Sequence, residues 1–293
     1  MRTLTLYIDA SLHGREVKSL LGQELHMSGS LIRRVKLREE GILLNGMRAF
    51  TTARVQAGDV LTVQVGDGPE VPRPRPMPAP LDVVWEDEDI LILNKAPGMA
   101  VHQSTRDPEE LTLENALAAY LPSDVIPHPV SRLDRGTTGL ITFAKNGYMH
   151  ERLRRLLHTP AFRREYRGIA VGAVTPPVGE IALPIGLADG STYQRAVRKD
   201  GAPSRTEYET LAYGNGFTLL RLVPHTGRTH QLRLHMAALG FPLAGDWLYG
   251  ARDARIGRPA LHSCELWLTH PMTGEALHFT APLPEDMAAL MEE

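Results

Sequence analysis

The sequence predicts an α+β fold: a large, mixed but largely antiparallel sheet with flanking helices, preceded by a small α+β module. After residue 81, strand-like segments outnumber helical ones, and short turns such as 213–216 and 271–274 join them. A proline-rich stretch separates this region from the first 66 residues. The chain has 293 residues and 43% apolar content, which is sufficient for one large core and one small core.

The first 66 residues are predicted to form a module of two helices and a short β element. Helices are expected over 15–25 and 31–39, with Ser28-Gly29-Ser30 as the break and cap between them. The strands and turns expected after the helices are the strand 42–44, the turn Asn45-Gly46, the turn Gly58-Asp59 and the strand 60–65.

A linker is predicted between this module and the rest of the chain. Six prolines, at positions 69, 72, 74, 76, 78 and 80, prevent both a helix and a paired strand. Proline-rich segments are extended, so the linker is expected to hold the module at a distance. The predicted domains are therefore 1–66, a linker over 67–80, and 81–293.

The third segment carries the large sheet. Its connections are short, and alternating strand–helix–strand units are not evident, which favours antiparallel neighbours. The predicted strands are 82–85, 90–94, 139–144, 165–171, 205–211, 217–223, 261–268 and 277–280, and the predicted helices are 112–121, 148–158 and 229–239.

Charge is distributed unevenly along the chain. The net charge is -2 overall, whereas residues 1–65 hold nine Lys and Arg against six Asp and Glu. The excess is concentrated in Arg33, Arg34, Lys36 and Arg38, on neighbouring turns of the second predicted helix. Such a patch can bind phosphates, although a patch of this kind, taken alone, is more often a solvated helix face.

Composition restricts the compartment. The single cysteine, Cys264, leaves no intramolecular disulfide and no Cys-x-x-Cys metal cluster. The N-terminus meets Asp9 too soon to be a secretory leader, and every apolar run is shorter than the roughly 18 residues of a membrane helix. We therefore expect a cytoplasmic protein that makes no use of a membrane, with a monomer as the default state.

One candidate site is the segment from Arg132 to Asn146. Asp134 stands between Arg132 and Arg135, and Gly136-Thr137-Thr138-Gly139 leads into an apolar strand. Neighbouring arginines favour a carboxylate, which can act as a nucleophile or a general base. A structural ion pair explains the same three residues, and on composition alone it is the more common explanation.

A second candidate site spans 226–236 on the last predicted helix. Leu232, Met236 and Leu239 give this helix its buried stripe. Arg233 lies at the border of the stripe, where it can reach a partly buried carboxylate from another element, and Gln231 can add a hydrogen bond. Packing or capping is the alternative role for His230, and it is the preferred role for His235.

Together these runs resemble the RluA-type family of RNA pseudouridine synthases. The family's central motif matches from Arg132 to Leu140, with Ser131 where His is usual and Thr138 where Ser is common, and its C-terminal motif matches from Thr226 to His235. The first module is similar to the αL-type RNA-binding domain first known from a ribosomal small-subunit protein. Further matches are Asn94-Lys95, Pro97-Gly98, Val101-His102, Gly245-Asp246, Tyr249-Gly250, His270-Pro271, Thr273-Gly274-Glu275 and Ala281-Pro282-Leu283-Pro284.

The resemblance implies roles for individual residues. Asp134 takes the place of the nucleophile, Arg233 that of the arginine paired with it, and Tyr166 that of the aromatic residue against the target base. Arg132 corresponds to a residue that enters the space vacated by the flipped nucleotide, and Arg164 replaces a usual lysine. The implied RNA-binding residues are Arg132, Arg135, Arg164, Arg33, Arg34 and Lys36, and the supporting residues are Asn94, Lys95, Arg228, His230 and Gln231.

The implied function is isomerisation of uridine to pseudouridine without metal or cofactor, on a base extruded from its stack. Large-subunit ribosomal RNA or a pre-ribosomal particle is the expected partner, and transfer RNA is the alternative. A non-catalytic RNA-binding or ribosome-assembly factor on the same fold is the main rival. A glycosidase is a weaker rival, because it requires a second carboxylate across the scissile bond.

Overall fold

The structure, a computed structural model, describes residues 2–69, 71–104 and 107–292. The N-terminal part contains β1 (Thr3–Tyr7), α1 (Val17–Gln23), α2 (Gly29–Val35), β2 (Ile42–Leu44), β3 (Met47–Arg48) and β4 (Val60–Gln64). The remaining strands are β5 (Val83–Glu86), β6 (Ile90–Lys95), β7 (His128–Pro129), β8 (Thr138–Ala144), β9 (Phe162–Val171), β10 (Val178–Ile181), β11 (Ile185–Leu187), β12 (Arg195–Val197), β13 (Thr206–Gly214), β14 (Phe217–Pro224), β15 (Leu261–Thr269) and β16 (Ala276–Thr280). The remaining helices are α3 (Leu113–Tyr120), α4 (Gly147–Leu156), α5 (Gln231–Ala238) and α6 (Glu285–Ala288).

The N-terminal part is a small antiparallel sheet, in the order β1-β4-β2-β3, with α1 and α2 packed on it. Ser28 caps α2 as expected, since its hydroxyl accepts a hydrogen bond from the amide of Leu31 at 3.2 Å. The helix ends at Val35, earlier than the predicted Glu39. Strand β1 was not predicted, and it completes the sheet by pairing with β4.

The proline-rich segment does not hold the two parts apart, so that expectation was wrong. Tyr148, at the start of α4, is buried in the N-terminal core, and its hydroxyl donates to the carbonyl of Leu25 at 3.0 Å. Asp67 reaches the ring of His128 at 2.8 Å. Arg73 donates to carbonyls at the end of α3, among them that of Ala118 at 2.7 Å. An extended chain without internal hydrogen bonds is free to lie along a surface that offers partners.

The main sheet contains ten strands within the described ranges, most of them in the order β10-β13-β14-β9-β15-β8-β6-β5. Strand β16 pairs with β15, and β7 pairs with β8. Every pairing is antiparallel except that of β8 with β15. The prediction of a mixed, largely antiparallel sheet with flanking helices is confirmed. The short strands β10, β11 and β12 were not predicted, because they span only three or four residues each.

Helices α3 and α4 begin at side-chain caps. Thr112 and Asn115 form a reciprocal capping box at α3. Asn146 caps α4, since its side chain accepts from the amide of Met149 at 2.8 Å. Within the described ranges, none of the helices has both the length and the apolar content needed to span a bilayer.

The parallel pairing of β8 with β15 fixes the chain just after Asp134. Gly139 has a φ of 104°, and a Cβ atom there would lie 2.2 Å from the carbonyl oxygen of Ser263. Only glycine permits this approach. Beside it, the hydroxyl of Thr138 lies 2.8 Å from Nδ1 of the buried His262. The start of β8 is therefore locked onto β15.

His262 should make the protein acid-labile. Burial lowers the pKa of its imidazole to about 4. The imidazole of His262 therefore stays neutral in the folded protein, whereas in the unfolded chain it takes up a proton below about pH 6.5. Stability is therefore lost as pH falls from 6.5 towards 4. We expect the free energy of unfolding of His262→Gln to fall by about 3 kcal/mol less between pH 6.5 and pH 4 than that of the unsubstituted protein. Urea unfolding at pH 7, 6, 5 and 4 measures it.

The matched control for this experiment is His278→Gln, because the side chain of His278 is 48% exposed. That control is expected to leave the acid-induced loss of stability as large as in the unsubstituted protein. Parallel pH profiles for His262→Gln and the unsubstituted protein would contradict the prediction.

Candidate active site

Asp134 lies in a tight turn between β7 and β8. The amide of Thr137 donates to the carbonyl of Asp134 at 3.0 Å. The next carbonyl, of Arg135, accepts from the amide of Gly98 at 2.9 Å, and that of Gly136 accepts from the guanidinium of Arg258 at 3.3 Å. Successive backbone groups of this turn are thus held from two sides, which fixes the direction of the Asp134 side chain.

Lys95 also binds the backbone around this turn. Its ammonium group donates to the carbonyls of Ala96 and Met99, both at 2.9 Å, and to that of Arg135 at 3.1 Å. The side chain is buried, and burial lowers the pKa of Lys95 to about 8, while the charge of Asp134 acts in the opposite direction. Lys95 therefore holds three backbone carbonyls at and near the Asp134 turn.

Arg233, on α5, joins the two predicted sites. Its Nη1 lies 3.3 Å from Oδ2 of Asp134, although 99 positions separate the two residues. Arg233 is 5% exposed. Burial alone lowers the pKa of its guanidinium, but the hydrogen bonds and charges of Asp246 and Asp134 outweigh burial and raise it. The predicted pairing of Arg233 with Asp134 is present.

Asp246 completes the arrangement and was missed as a site residue. Its carboxylate accepts hydrogen bonds from both Nε and Nη2 of Arg233 at 2.8 Å, which makes the contact bidentate. The side chain of Asp246 is fully buried. Its Oδ1 also accepts from the amides of Leu248 and Tyr249 at 3.2 and 3.3 Å. The sequence offered one signal, the Gly245-Asp246 match, but no partner for it. We call Asp134, Arg233 and Asp246 the carboxylate–arginine chain.

The start of α5 is held by side chains that were expected to support the site. Gln231 accepts from the hydroxyl of Thr226 at 2.7 Å and from the amide of Arg228 at 3.0 Å. His230 has a left-handed backbone, with a φ of 59°, and its Nδ1 lies 2.8 Å from the hydroxyl of Tyr249. Burial lowers the pKa of His230, opposed by the charge of Asp134.

A cleft of about 790 Å³ is lined by Asp134 and Arg233 of the carboxylate–arginine chain. Tyr166, on β9, is buried and contributes to the wall of this cleft. Arg132 is exposed at the rim, and its Nη2 donates to the hydroxyl of Thr229 at 3.3 Å. The cations that line the cleft are Arg132, Arg135, Arg154, Arg164, Arg228 and Arg233.

Other predicted residues lie elsewhere. Asn94 donates to the carboxylate of Asp82 at 2.9 Å, beside β5, and does not line the cleft, so the structure does not bring it to the site. Arg33 and Arg34 lie on α2 in the N-terminal part, and Lys36 follows the last residue of this helix. Arg33 and Lys36 are exposed, and Arg34 is half-buried. Within the described ranges, no group of His, Cys, Asp and Glu side chains is arranged to hold a metal ion.

Comparison with known proteins shows the family of this chain. A family model described as RNA pseudouridylate synthase matches residues 89–238. The chain belongs to this family. The RluA-type resemblance is confirmed, and the enzyme is an isomerase that converts uridine in RNA to pseudouridine. The glycosidase and the non-catalytic factor are therefore set aside as alternatives.

Relatives match along most of the chain. An uncharacterized RNA pseudouridine synthase of Bacillus subtilis, YlyB, is 37% identical over 265 residues, which is 87% of this chain and 86% of the relative. The ribosomal large subunit pseudouridine synthase D of Escherichia coli K12 is 37% identical over 239 residues, 76% of this chain and 73% of the relative. The structure of human RNA pseudouridylate synthase domain containing 1 superposes with a TM-score of 0.59 at 27% identity, covering 72% of this chain and 87% of that protein.

Proposed function

We propose that this isomerase acts on large-subunit ribosomal RNA and that Asp134 is its nucleophile. The observation that carries the proposal is that Asp134 and Arg233, two members of the carboxylate–arginine chain, line a cleft that further arginines also line. The reaction breaks the bond from the ribose to N1 of uracil and forms one from the ribose to C5. The proton of C5 is lost and N1 gains one, so the atoms balance without an oxidant.

Arg233 and Asp246 prepare Asp134 for this role. The side chain of Asp134 is 23% exposed, so it is open to the cleft, while that of Arg233 is 6% exposed. Because Asp246 occupies two donors of Arg233, the guanidinium cannot rotate, and Nη1 stays directed at Asp134. A positive charge held at that distance stabilises the carboxylate when it is removed from water by a bound nucleotide.

Tyr166 is proposed to contact the target base. Its ring is buried in the cleft wall, and an aromatic face is the surface on which an extruded base stacks. Its hydroxyl is the candidate general base for the late loss of the C5 proton. Both assignments are supported by the position of Tyr166, which lines the same cleft as Asp134.

Extrusion of the base costs a few kcal/mol, which contacts to phosphates must offset. The exposed cations at the rim, Arg132, Arg154 and Arg228, suit the RNA backbone. We assign Arg132 to the space that the flipped nucleotide leaves, and the 3.3 Å contact with Thr229 holds it at the edge of the cleft.

Ribosomal RNA is the favoured substrate because relatives that bear the name ribosomal large subunit pseudouridine synthase D are 34–39% identical. The test is to map pseudouridines in ribosomal and transfer RNA from cells with and without this gene. We expect a site in large-subunit ribosomal RNA to disappear, and to return with the unsubstituted gene alone and not with Asp134→Asn. Loss confined to transfer RNA would refute the ribosomal assignment. A cytoplasmic monomer remains the prediction.

The N-terminal part is proposed to be an αL-type RNA-binding domain over residues 1–66, followed by the linker 67–80 and the catalytic domain 81–293. Deleting 1–66 would uncover Tyr148, so point substitutions are the cleaner test. Replacing Arg33 and Lys36 by Gln should weaken RNA binding and reduce the magnitude of the slope of log affinity against log salt by roughly 1.4 to 1.8, because two phosphate contacts are lost. Filter binding between 50 and 300 mM salt measures both the affinity and this slope.

A charge-matched control replaces Lys199 and Arg255 by Gln, because both side chains lie outside the cleft. The control is expected to keep the salt dependence of the unsubstituted protein. Equal slopes of log affinity against log salt for the two double variants would show that Arg33 and Lys36 do not contact phosphates.

A further inference from the structure

A second cavity, of about 570 Å³, lies next to the cleft. Its wall includes two aromatic side chains, Tyr193 and Trp247, which contribute nothing to the cleft itself. Four residues line both spaces: Asp134, Arg135, His230 and Arg233. The proposed nucleophile therefore stands at the border between the two spaces, and a ligand in one can continue into the other.

Trp247 is presented by the turn that anchors Arg233. Asp246 precedes it and uses one carboxylate oxygen both for Arg233 and for the amides of Leu248 and Tyr249. The amide of Trp247 donates to the carbonyl of Gly245 at 3.0 Å. Because the same carboxylate fixes the arginine and the turn, Trp247 has a defined position relative to the carboxylate–arginine chain.

Tyr193 comes from the connection between β11 and β12. The hydroxyl of Ser191 accepts from the amides of Tyr193 and Gln194, at 3.3 and 2.9 Å. The amide of Arg195 donates to the hydroxyl of Tyr249 at 3.0 Å. This last bond ties the hairpin to the turn that carries Trp247, so both aromatic residues belong to one connected wall.

Exposure distinguishes Trp247 from the other two tryptophans. Trp85 packs against Phe279 at 5.5 Å between ring centroids, and Trp267 stacks on His278 at 4.7 Å with the guanidinium of Arg163 on its ring. Trp247 is 50% exposed, and Tyr193 is 52% exposed. An indole that stays half in water beside an active-site carboxylate is a surface available for stacking.

Arginines outnumber carboxylates on the cavity wall: Arg135, Arg233 and Arg258 line it, and the Arg252 guanidinium lies 5.9 Å from the ring of Trp247. Arg135 pairs with Glu110, and its side chain remains 59% exposed. The acidic side chains on this wall are Asp134 and Asp286, and Asp286 already receives two hydrogen bonds from Arg258 at 2.7 Å. Aromatic faces beside arginines are the combination that binds a nucleotide through its base and its phosphate.

We propose that this second cavity binds the base of a nucleotide adjacent to the target uridine, stacked on Trp247 and bordered by Tyr193. The inference rests on the proposed function, since it assumes that the target uridine occupies the cleft at Asp134. The strand continues past Asp134 into the second cavity, and Arg135 and Arg252 lie beside its phosphates. Stacking is tolerant of base identity, so Trp247 contributes affinity with little sequence preference.

The test measures initial rates on a transcript of the target site identified by pseudouridine mapping. Trp247→Ala should raise KM on the order of tenfold, because loss of one base–aromatic stack costs about 1–3 kcal/mol, while kcat stays within about threefold. Trp247→Phe keeps an aromatic face and should restore most of the affinity. Tyr120→Ala is the matched control, since Tyr120 is 52% exposed and lines neither space.

A second arm replaces the nucleotide on either side of the target uridine by an abasic residue. One of the two abasic transcripts should raise KM for the unsubstituted enzyme and should raise it no further for Trp247→Ala, as coupled changes do. A KM for Trp247→Ala within twofold of the unsubstituted enzyme, or equal defects in the Ala and Phe variants, would overturn the proposal. An active Asp134→Asn enzyme would instead overturn the proposed nucleophile, so the two failures are distinguishable.

Discussion

Asp134→Asn is expected to abolish pseudouridine formation, with a loss of about 10⁴-fold or more in turnover. The substitution keeps the shape of the side chain and removes the oxygen that we propose as the nucleophile. Arg233 stays in place because Asp246 holds two of its donors at 2.8 Å. RNA affinity should be unchanged or slightly higher, because a negative charge is removed from a cleft lined by arginines. The measurement is pseudouridine yield on unmodified ribosomal RNA, together with binding.

Asp253→Asn is the control for this substitution. Asp253 also pairs with an arginine, Arg255, but it does not line the cleft. The Asp253→Asn enzyme should keep full activity. Turnover by Asp134→Asn within tenfold of the unsubstituted enzyme would remove Asp134 from the mechanism, and a loss of RNA affinity equal to the loss of activity would assign it a binding role.

Asp246→Asn is expected to have the largest combined effect on stability and activity. The buried guanidinium of Arg233 would lose the counter-ion that receives two of its hydrogen bonds. Breaking a buried pair from one side typically costs about 3–5 kcal/mol. The freed arginine would also no longer be aimed at Asp134, so turnover should fall by roughly 10²-fold or more. Urea unfolding and initial rates below the unfolding transition measure the two effects.

Asp200→Asn provides the contrast. Asp200 pairs with Arg198, but its side chain is 72% exposed, and exposed pairs contribute about 0–1 kcal/mol. If Asp246→Asn is no less stable than Asp200→Asn, the carboxylate–arginine chain does not hold the site together. If Asp246→Asn is destabilised yet fully active, Arg233 keeps its direction without Asp246.

Local patterns predicted most of the secondary structure of the main sheet. The strands after residue 81 follow apolar runs between turns, and the three longer helices begin within two residues of their expected starts. The failures have a common cause. Strands β1 and β10 to β12 are short or half-exposed, so they acquire their structure from a neighbouring strand. The prolines of the linker were interpreted correctly as excluding a helix, but not as permitting contact with the catalytic part.

For the site, the resemblance to the family selected Asp134, Arg233 and Tyr166, since Asp134 between two arginines was by itself better explained as an ordinary ion pair. The structure gave the expected pair its geometry and changed which residues stand beside it. It joined Asp134 to Arg233 at 3.3 Å and added Asp246. It also left Asn94 with Asp82, outside the cleft.

The sequence by itself determined what is local: the helix caps, the strand alternation, the turns, and the motifs that identify an RNA pseudouridine synthase. Only the tertiary structure decided which distant groups meet. The position of β15 between β8 and β9 fixes the chain just after Asp134, and the 246–249 turn fixes Arg233 and Trp247. The physical reason is that an ion pair or a stacking contact depends on distance and burial in space, and linear order along the chain specifies neither.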